Sequence, residues 1–218
     1  MPRVTDRFGR PVSGQMPGLA EALVVDNVDP DKLGRVKLKF PMLPEMPESF
    51  WARLVMPMAG QGRGMMTIPE VDDEVLVAFV HGDINHAIVL GSLFNGVDTP
   101  PYANEDGDNN LRVFQSRSGH RLTFDDTSGA ERIELVLHNE EISLIWDSAN
   151  KVLSVYSGKD IIIESKETIQ LKCKDFVLEA SSNVDISGGS DVNVTAGASC
   201  TVDGGGSLTL TGSSVSIN

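Results

Sequence analysis

The chain has 218 residues, of which 40% are hydrophobic and 6% aromatic, and its formal net charge is −13 at pH 7. A chain of this length and apolar content can bury one generous core or two small ones, so disorder throughout is not the default expectation. Its negative charge repels phosphate backbones and anionic headgroups. We therefore predict neither nucleic acid nor stable membrane association among its partners.

The two cysteines, Cys173 and Cys200, are too few for a disulfide framework and are not spaced as zinc ligands. We interpret both as small buried apolar side chains. The first 18 residues contain no charged stretch that leads into an apolar run, and no window approaches the roughly 20 apolar residues of a membrane span. We expect the protein to be made and assembled in the cytoplasm.

Residues 1–20 are rich in Pro, Gly and Arg and have no periodicity. We interpret them as an N-terminal arm that is either ordered against a partner or floppy. Over residues 21–97, about five runs of period-two alternation are separated by turn residues, and none has a helical period. This pattern predicts a small Greek-key barrel of the oligonucleotide/oligosaccharide-binding (OB) type.

The run from Val75 to Val80 is apolar on both faces, which a monomeric small barrel could not hide from water. We expect another subunit to cover its outer face. Residues 98–112 are acidic and contain many turn formers, so we interpret them as a linker. The remaining residues, 113–218, then form a second part of the protein.

This second part contains an internal repeat, which is the strongest signal in the sequence. Apolar residues at positions i and i+2 recur in steps of seven or eight residues, a regularity typical of fibrous or solenoidal β-structure. The eight pairs are Ile161/Ile163, Ile169/Leu171, Phe176/Leu178, Val184/Ile186, Val192/Val194, Cys200/Val202, Leu208/Leu210 and Val215/Ile217.

An eight-residue unit supplies one short strand and one tight corner, with Gly, Ser or Ala at most of the later corners. Because only two side chains per strand point inward, one chain coiled alone would form only a few turns. Three chains wound together would form a longer and thinner prism, with the eight pairs as its core. A low-complexity tail is the remaining alternative, but disorder would not preserve the step.

No group of residues has the spacing of a catalytic, cofactor or metal site. The glycine-rich segment 60–64 is not followed by the lysine and hydroxyl of a P-loop, and no nucleophile elbow occurs. Adjacent carboxylates on a strand point to opposite faces, so they cannot act as a facing pair. The residues considered were His81, His86, His120, His138, Asp125, Asp126, Glu140 and Glu141.

Two other functions remain as alternatives. Arg35, Lys37 and Lys39 line one face of the first hairpin near Phe50 and Trp51, which is compatible with an OB-fold nucleic-acid-binding module. The second alternative is a carbohydrate-active or carbohydrate-binding parallel β-helix. That enzyme would need clusters of charged residues on stacked strands.

Two ordered blocks of sequence resemble a known family. Residues 68–79 (IPEVDDEVLVAF), followed by 81–83 (HGD) and 89–96 (VLGSLFNG), are similar to the OB-domain core of phage baseplate assembly protein V and of valine-glycine repeat (VgrG-like) spike proteins. Residues 118–126 (SGHRLTFDD) and 129–133 (GAERI) resemble the segment by which those spikes leave the barrel. With the repeat, the resemblance covers about residues 20–218.

The resemblance implies an all-β protein with an N-terminal OB-fold Greek-key barrel and a C-terminal trimeric intertwined β-helix. It implies a non-enzymatic homotrimer, the central spike of a contractile injection machine, which tips the inner tube and pierces the target envelope. It also implies a hub protein at the OB end, because no hub domain precedes residue 20. A proline-alanine-alanine-arginine (PAAR) type tip protein is expected to contact Val215, Ile217 and Asn218.

Overall fold

The structure is a computed structural model that describes residues 4–5, 11–12, 16, 18–42 and 48–217. Every regular element in these ranges is a β-strand, except for one 3-10 turn at Val80–Gly82. Within the same ranges, no helix has the length and apolar content to cross a membrane. The chain divides into two units, Met1–Ile161 and Ile162–Asn218, which are described separately.

The described residues of the first unit form fourteen strands. They are β1 (Val4–Thr5), β2 (Pro11–Val12), β3 (Leu19–Asp26), β4 (Lys37–Lys39), β5 (Arg53–Leu54), β6 (Ala59–Gly60), β7 (Arg63–Gly64), β8 (Glu74–Phe79), β9 (Ala87–Ser92), β10 (Leu111–Gln115), β11 (Arg121–Asp125), β12 (Arg132–Val136), β13 (Ile142–Asp147) and β14 (Val152–Ser157).

Five of these strands form a barrel in the order β4-β3-β8-β9-β5. All neighbours are antiparallel except β5 and β9, which are parallel. The two edges of the sheet meet through an antiparallel bridge, in which Val36 and Ala52 exchange backbone hydrogen bonds of 3.0 and 2.7 Å. Closure removes the free edges that an open sheet would expose. The predicted all-β architecture with an N-terminal OB barrel is confirmed.

Side chains alternate between the inside and the outside of the barrel along each strand, and those that face inward fill it. On β8, Val75, Val77 and Phe79 are buried while Leu76 and Ala78 are half-buried, and the ring of Phe79 lies 5.5 Å from that of Phe40. Twelve apolar residues form this core, and they are Ala20, Ala22, Val24, Val36, Leu38, Phe40, Ala52, Val75, Val77, Phe79, Ala87 and Val89.

The turn between β3 and β4 is organised by Asp29. Its side chain is 3% exposed and accepts the backbone N–H groups of Asp31, Leu33 and Arg35 at 3.0 to 3.2 Å. The Arg35 guanidinium donates to both carboxylate oxygens, at 2.8 and 2.7 Å. These charge-assisted hydrogen bonds hold the pKa of Asp29 well below its usual range, and the bond from Arg35 contributes most.

The first predicted hairpin differs from its sequence pattern at one end. Val28 continues the period-two alternation, yet β3 ends at Asp26 and Val28 is exposed. The carboxylate of Asp26 accepts the Val28 N–H at 2.9 Å, which turns the backbone out of the strand.

A five-stranded antiparallel meander, β10-β11-β12-β13-β14, follows the barrel. Its pairings run in unbroken register from Leu111 opposite Asp125 to Asp147 opposite Val152. Strands β10 and β14 are its two edges. In the described part of the chain, each edge strand pairs with one neighbour only, and its outer edge is unpaired.

The second unit is extended and unpaired. Residues 162–217 contain no strand, and all of them are exposed. The chain bends at residues 166–167, 174, 181–182, 189–190, 197–198, 205–206 and 212–213, so the bends recur at steps of seven or eight residues. The corners therefore follow the step of the sequence repeat. The single chain forms the corners, but the segments between the corners do not pair into sheets.

We predict that Asp29→Asn lowers the melting temperature at pH 7, because it removes a carboxylate that accepts five hydrogen bonds. Since the folded-state pKa of Asp29 is depressed, its contribution is full above the unfolded value of about 3.9 and is lost as pH falls below it. Thermal unfolding followed by circular dichroism should show a gap between wild type and variant that narrows below about pH 4.

Asp31→Asn is the matched control, because Asp31 contacts the same Arg35 but is largely exposed. An exposed ion pair contributes little, so this variant should stay close to wild type. Equal melting temperatures for Asp29→Asn and wild type at pH 7 would contradict the role of Asp29.

Candidate assembly surfaces

The residues examined for catalysis and metal binding are structural or solvent-exposed. Across the described ranges, no three His, Cys, Asp or Glu side chains gather as metal ligands. His120 and His138 lie edge to face with ring centroids 5.4 Å apart, and the exposed His86 contacts Asp83 at 3.2 Å. His81 lies in the 3-10 turn with a left-handed φ of 53°.

The adjacent carboxylates lie in different local settings, since Asp125 ends β11 and Asp126 follows it, whereas Glu140 and Glu141 lie in the turn between β12 and β13. Asp125 is buried in the meander, and hydrogen bonds from Thr127 keep its pKa below its usual range. Asp126 points to solvent and pairs with Arg112 at 3.1 Å. Likewise, Glu140 pairs with Arg121 at 3.1 Å. These carboxylates therefore serve as local ion-pair and turn partners.

Most of the positive charge on the first hairpin is paired with carboxylates of the same chain. Arg35 is bound by Asp29 and by Asp31, the latter at 2.6 Å. The Lys37 ammonium lies 3.5 Å from Glu48 and 5.3 Å from the centre of the Trp51 ring. Two of the three cations that favoured a nucleic-acid module are thus engaged in internal contacts.

The glycine-rich segment 60–64 is a tight hairpin. Strands β6 and β7 pair antiparallel, and Gly62 turns between them with a positive φ of 66°. The segment does not lead into a helix, so it lacks the helix N-terminus on which a phosphate cradle depends.

One face of the meander is apolar apart from Arg112 at one edge, and we call it the apolar face. The register aligns two rows of side chains across all five strands. The first row is Phe114, Leu122, Leu135, Leu144 and Val155, and the second is Arg112, Phe124, Ile133, Trp146 and Leu153.

The apolar face is open to solvent in the single chain. Trp146 is 43% exposed and Leu153 is 58% exposed. The opposite face carries the buried residues Thr123, Asp125 and Val136. A sheet that covers its polar face and exposes its apolar one is the reverse of the usual arrangement, so the apolar face has the character of an interface.

The sequence pattern alone did not indicate that these residues form an interface. Each strand does alternate, as in Leu122 and Phe124 or Ile133 and Leu135. The opposite face also carries apolar residues, such as Val113 and Ile145, so alternation alone did not identify one apolar surface. The register of five strands was needed to align the two rows.

The apolar pairs of the repeat are exposed in every described position. Ile161 is 54% and Ile163 is 73% exposed, and the later pairs are similar. Cys173 and Cys200 are exposed too, so the single chain does not bury them as our interpretation of the cysteines required. Of the residues predicted to contact a tip protein, Val215 and Ile217 are exposed and Asn218 lies outside the described residues.

Comparison with known proteins places the barrel in a family. Residues 20–94 match the type VI secretion system/phage-baseplate injector OB domain. The chain is 31% identical over 131 residues to the type VI secretion system spike protein VgrG3 of Vibrio cholerae, which covers 56% of this chain and 13% of that protein. It is 28% identical over 134 residues to the spike protein VgrG1a of Pseudomonas aeruginosa, covering 55% and 20%.

A third relative is named actin cross-linking toxin VgrG1, from Vibrio cholerae, and is 27% identical over 147 residues, covering 56% of this chain and 13% of that protein. The chain thus spans at most a fifth of the length of these relatives. The matched share of the chain exceeds residues 20–94, so the similarity extends beyond the barrel. The chain is thus similar over about half of its length to VgrG spike proteins, and residues 20–94 match the injector OB domain.

Proposed function

We propose that three copies of this chain assemble into the central spike of a contractile injection machine, with residues 162–217 intertwined as a β-helical needle. The observation that carries the proposal is the state of those residues in one chain. They are extended, bend at steps of seven or eight residues, form no strand pairs and expose every apolar pair.

Unpaired backbone is the first argument for intertwining. Buried backbone N–H and C=O groups need partners. Within residues 162–217, one backbone–backbone hydrogen bond is present, from the Ser207 N–H to the Gly204 carbonyl at 3.1 Å. Strands of about five residues that do not pair within their own chain can pair with the same strands of other chains. Interchain pairing would supply the partners along the whole repeat.

Exposed apolar surface is the second argument. Removing apolar side chains from water stabilises an assembly by about 25 cal/mol per Å² of buried area. The proposed trimer core consists of the inward pairs of all three copies, and these residues are Ile161, Ile163, Ile169, Leu171, Phe176, Leu178, Val184, Ile186, Val192, Val194, Cys200, Val202, Leu208, Leu210, Val215 and Ile217.

The apolar face of the meander supports the same symmetry. Three such sheets could turn their apolar faces toward a common axis and keep the opposite faces on the outside. The free edge strands β10 and β14 would then lie at the corners, where one copy meets the next. The half-buried outer residues of β8, Leu76 and Ala78, would gain cover from a neighbouring barrel.

The mechanism of such a spike is mechanical. Contraction of a sheath drives the tube forward, and a stiff trimer concentrates the force on a small area of target envelope. Its stiffness comes from continuous interchain hydrogen bonds around a closed apolar core. No catalytic step by this chain is needed for that role.

Similarity to injector spikes suggests two partners for the assembled spike. A hub protein joins the particle at the barrel end, and a PAAR-type tip protein binds the other end through Val215, Ile217 and Asn218. The chain would be assembled in the cytoplasm, become part of the particle or virion baseplate and reach the target envelope on firing. We divide it into an arm (1–20), an OB domain (21–97), a linker (98–112) and a spike (113–218).

The first test is the mass in solution by light scattering. The full chain should be a trimer of about three times the 23.5 kDa of one copy. A chain ending at Asn110, which lacks both meander and repeat, should be a monomer. A chain ending at Ile161 should form a weaker trimer, since it keeps the apolar face. A monomeric full chain would refute the proposal.

The second test places a charge on the predicted inner side of the repeat. Val194→Asp would bury an unpaired carboxylate and should cost about 3–5 kcal/mol per copy, seen as a large drop in the melting temperature of the trimer. Asn193→Asp is the matched control, because its neighbouring position faces water and should change little. If both variants melt alike, the predicted inward orientation is wrong.

The third test addresses the apolar face. Val155→Lys should weaken trimer formation at least tenfold, while Ser154→Lys, on the other face of the same strand, should leave it near wild type. Sedimentation over a dilution series of the chain ending at Ile161 measures the effect without the repeat. Equal association of the two variants would show that the apolar face is not the contact.

A further inference from the structure

A polar cavity lies on the opposite side of the meander from the apolar face. Its volume is about 620 Å³, and it is lined by residues of the segment 102–111 and by the polar side chains of β11 and β12. That volume is within the usual range of small-molecule sites. All of its lining residues lie between Tyr102 and Glu134, so the cavity uses no residue of the repeat.

The charges within the cavity are mostly compensated. Arg132 donates to Glu134 at 2.7 Å and lies 3.5 Å from Asp125. Arg121, also in the lining, is paired with Glu140. At the rim, Glu105 and Asp106 are exposed. The lining therefore carries a small excess of carboxylates, which disfavours phosphates and other anions.

Two polar atoms of the lining residues have no hydrogen-bond partner. They are the Nε of Arg121 and the Oγ1 of Thr123, and both are buried. An unpaired buried polar group is costly, so such groups usually mark a missing partner. Both atoms are closed off from bulk water in the single chain, so a ligand would reach them only if the lining adjusted around it.

Tyr102 adds an aromatic surface to this polar lining. Its side chain is 44% exposed, so part of the ring remains open to a ligand. An aromatic ring beside fixed carboxylates and amides combines an apolar contact with directional hydrogen bonds. Sugars present the same combination, with C–H groups on the ring face and hydroxyls around its edge.

We propose that this cavity binds a neutral oligosaccharide. A sugar ring would pack on Tyr102, and one hydroxyl would pair with Thr123 Oγ1 while its oxygen accepts the Arg121 Nε–H. Hydroxyls both donate and accept, so they fit a lining with carboxylates, guanidinium groups and one unpaired hydroxyl. The proposal is independent of the spike function, since it needs neither the trimer nor the repeat.

The test is isothermal titration calorimetry of the full chain with maltotriose and chitotriose, and with inorganic phosphate and spermine as charged probes. We expect saturable binding of at least one trisaccharide. Thr123→Val and Tyr102→Ala should each weaken that binding at least tenfold. Tyr156→Ala is the matched control, because Tyr156 is an exposed aromatic residue of β14 outside the cavity lining, and it should bind as wild type.

Thr123→Val also separates a ligand role from a structural one. It replaces a buried hydroxyl that has no partner with an apolar group of the same shape, which leaves stability unchanged or improves it. Lost sugar binding at an unchanged melting temperature is the predicted result. Absence of binding by both trisaccharides, wild-type affinity in both cavity variants, or preference for phosphate or spermine would overturn the proposal.

Discussion

Backbone pairing that one chain cannot complete is the constraint on which the rest of this molecule depends. In the barrel, every strand finds its neighbours within the chain, and the Val36–Ala52 bridge closes the last gap. In residues 162–217 the chain makes its corners but no sheet. Sequence periodicity indicates where the strands of the repeat would lie, and in the proposed spike their partners come from other copies of the chain. Under that proposal, assembly is part of the fold.

Dependence on assembly increases along the chain. The barrel has a closed core and a turn fixed by Asp29, so it can hold its shape in one copy. The meander has complete internal pairing but leaves its apolar face and two edge strands open. The repeat leaves both its backbone and its side chains unpartnered. This gradient fits the proposed spike, in which a stable domain anchors a segment that folds only when it pairs with other copies of the chain.

The sequence predicted the barrel because period-two alternation and turn residues report directly on a small closed sheet. It also predicted the step of the repeat, since corners and apolar pairs are both local features. It missed the end of β3, where the Asp26 side chain competes with the strand at Val28. The sequence alone could not predict the apolar face, because rows such as Leu122, Leu135 and Leu144 can be recognised only when the strand register is known.

The candidate sites likewise depend on contacts that appear only in the folded chain. Charged residues that stood out as possible chemistry, such as Arg35 and Glu140, are engaged in internal ion pairs that depend on the folded turns. The polar cavity joins a linker residue, Tyr102, to strand residues such as Thr123 and Arg132. No spacing along the sequence indicates that juxtaposition. Only the path of residues 102–111 beside the meander creates it.

Hydrogen–deuterium exchange of the full-length protein tests the central claim most directly, because it reports on the backbone pairing of the repeat itself. If residues 162–217 are paired between chains, their amides should exchange as slowly as those of the barrel strands β3 and β8. Exchange of the whole repeat at the rate of an unstructured chain, beside a protected barrel, would show that the repeat finds no partner strands and would contradict the account.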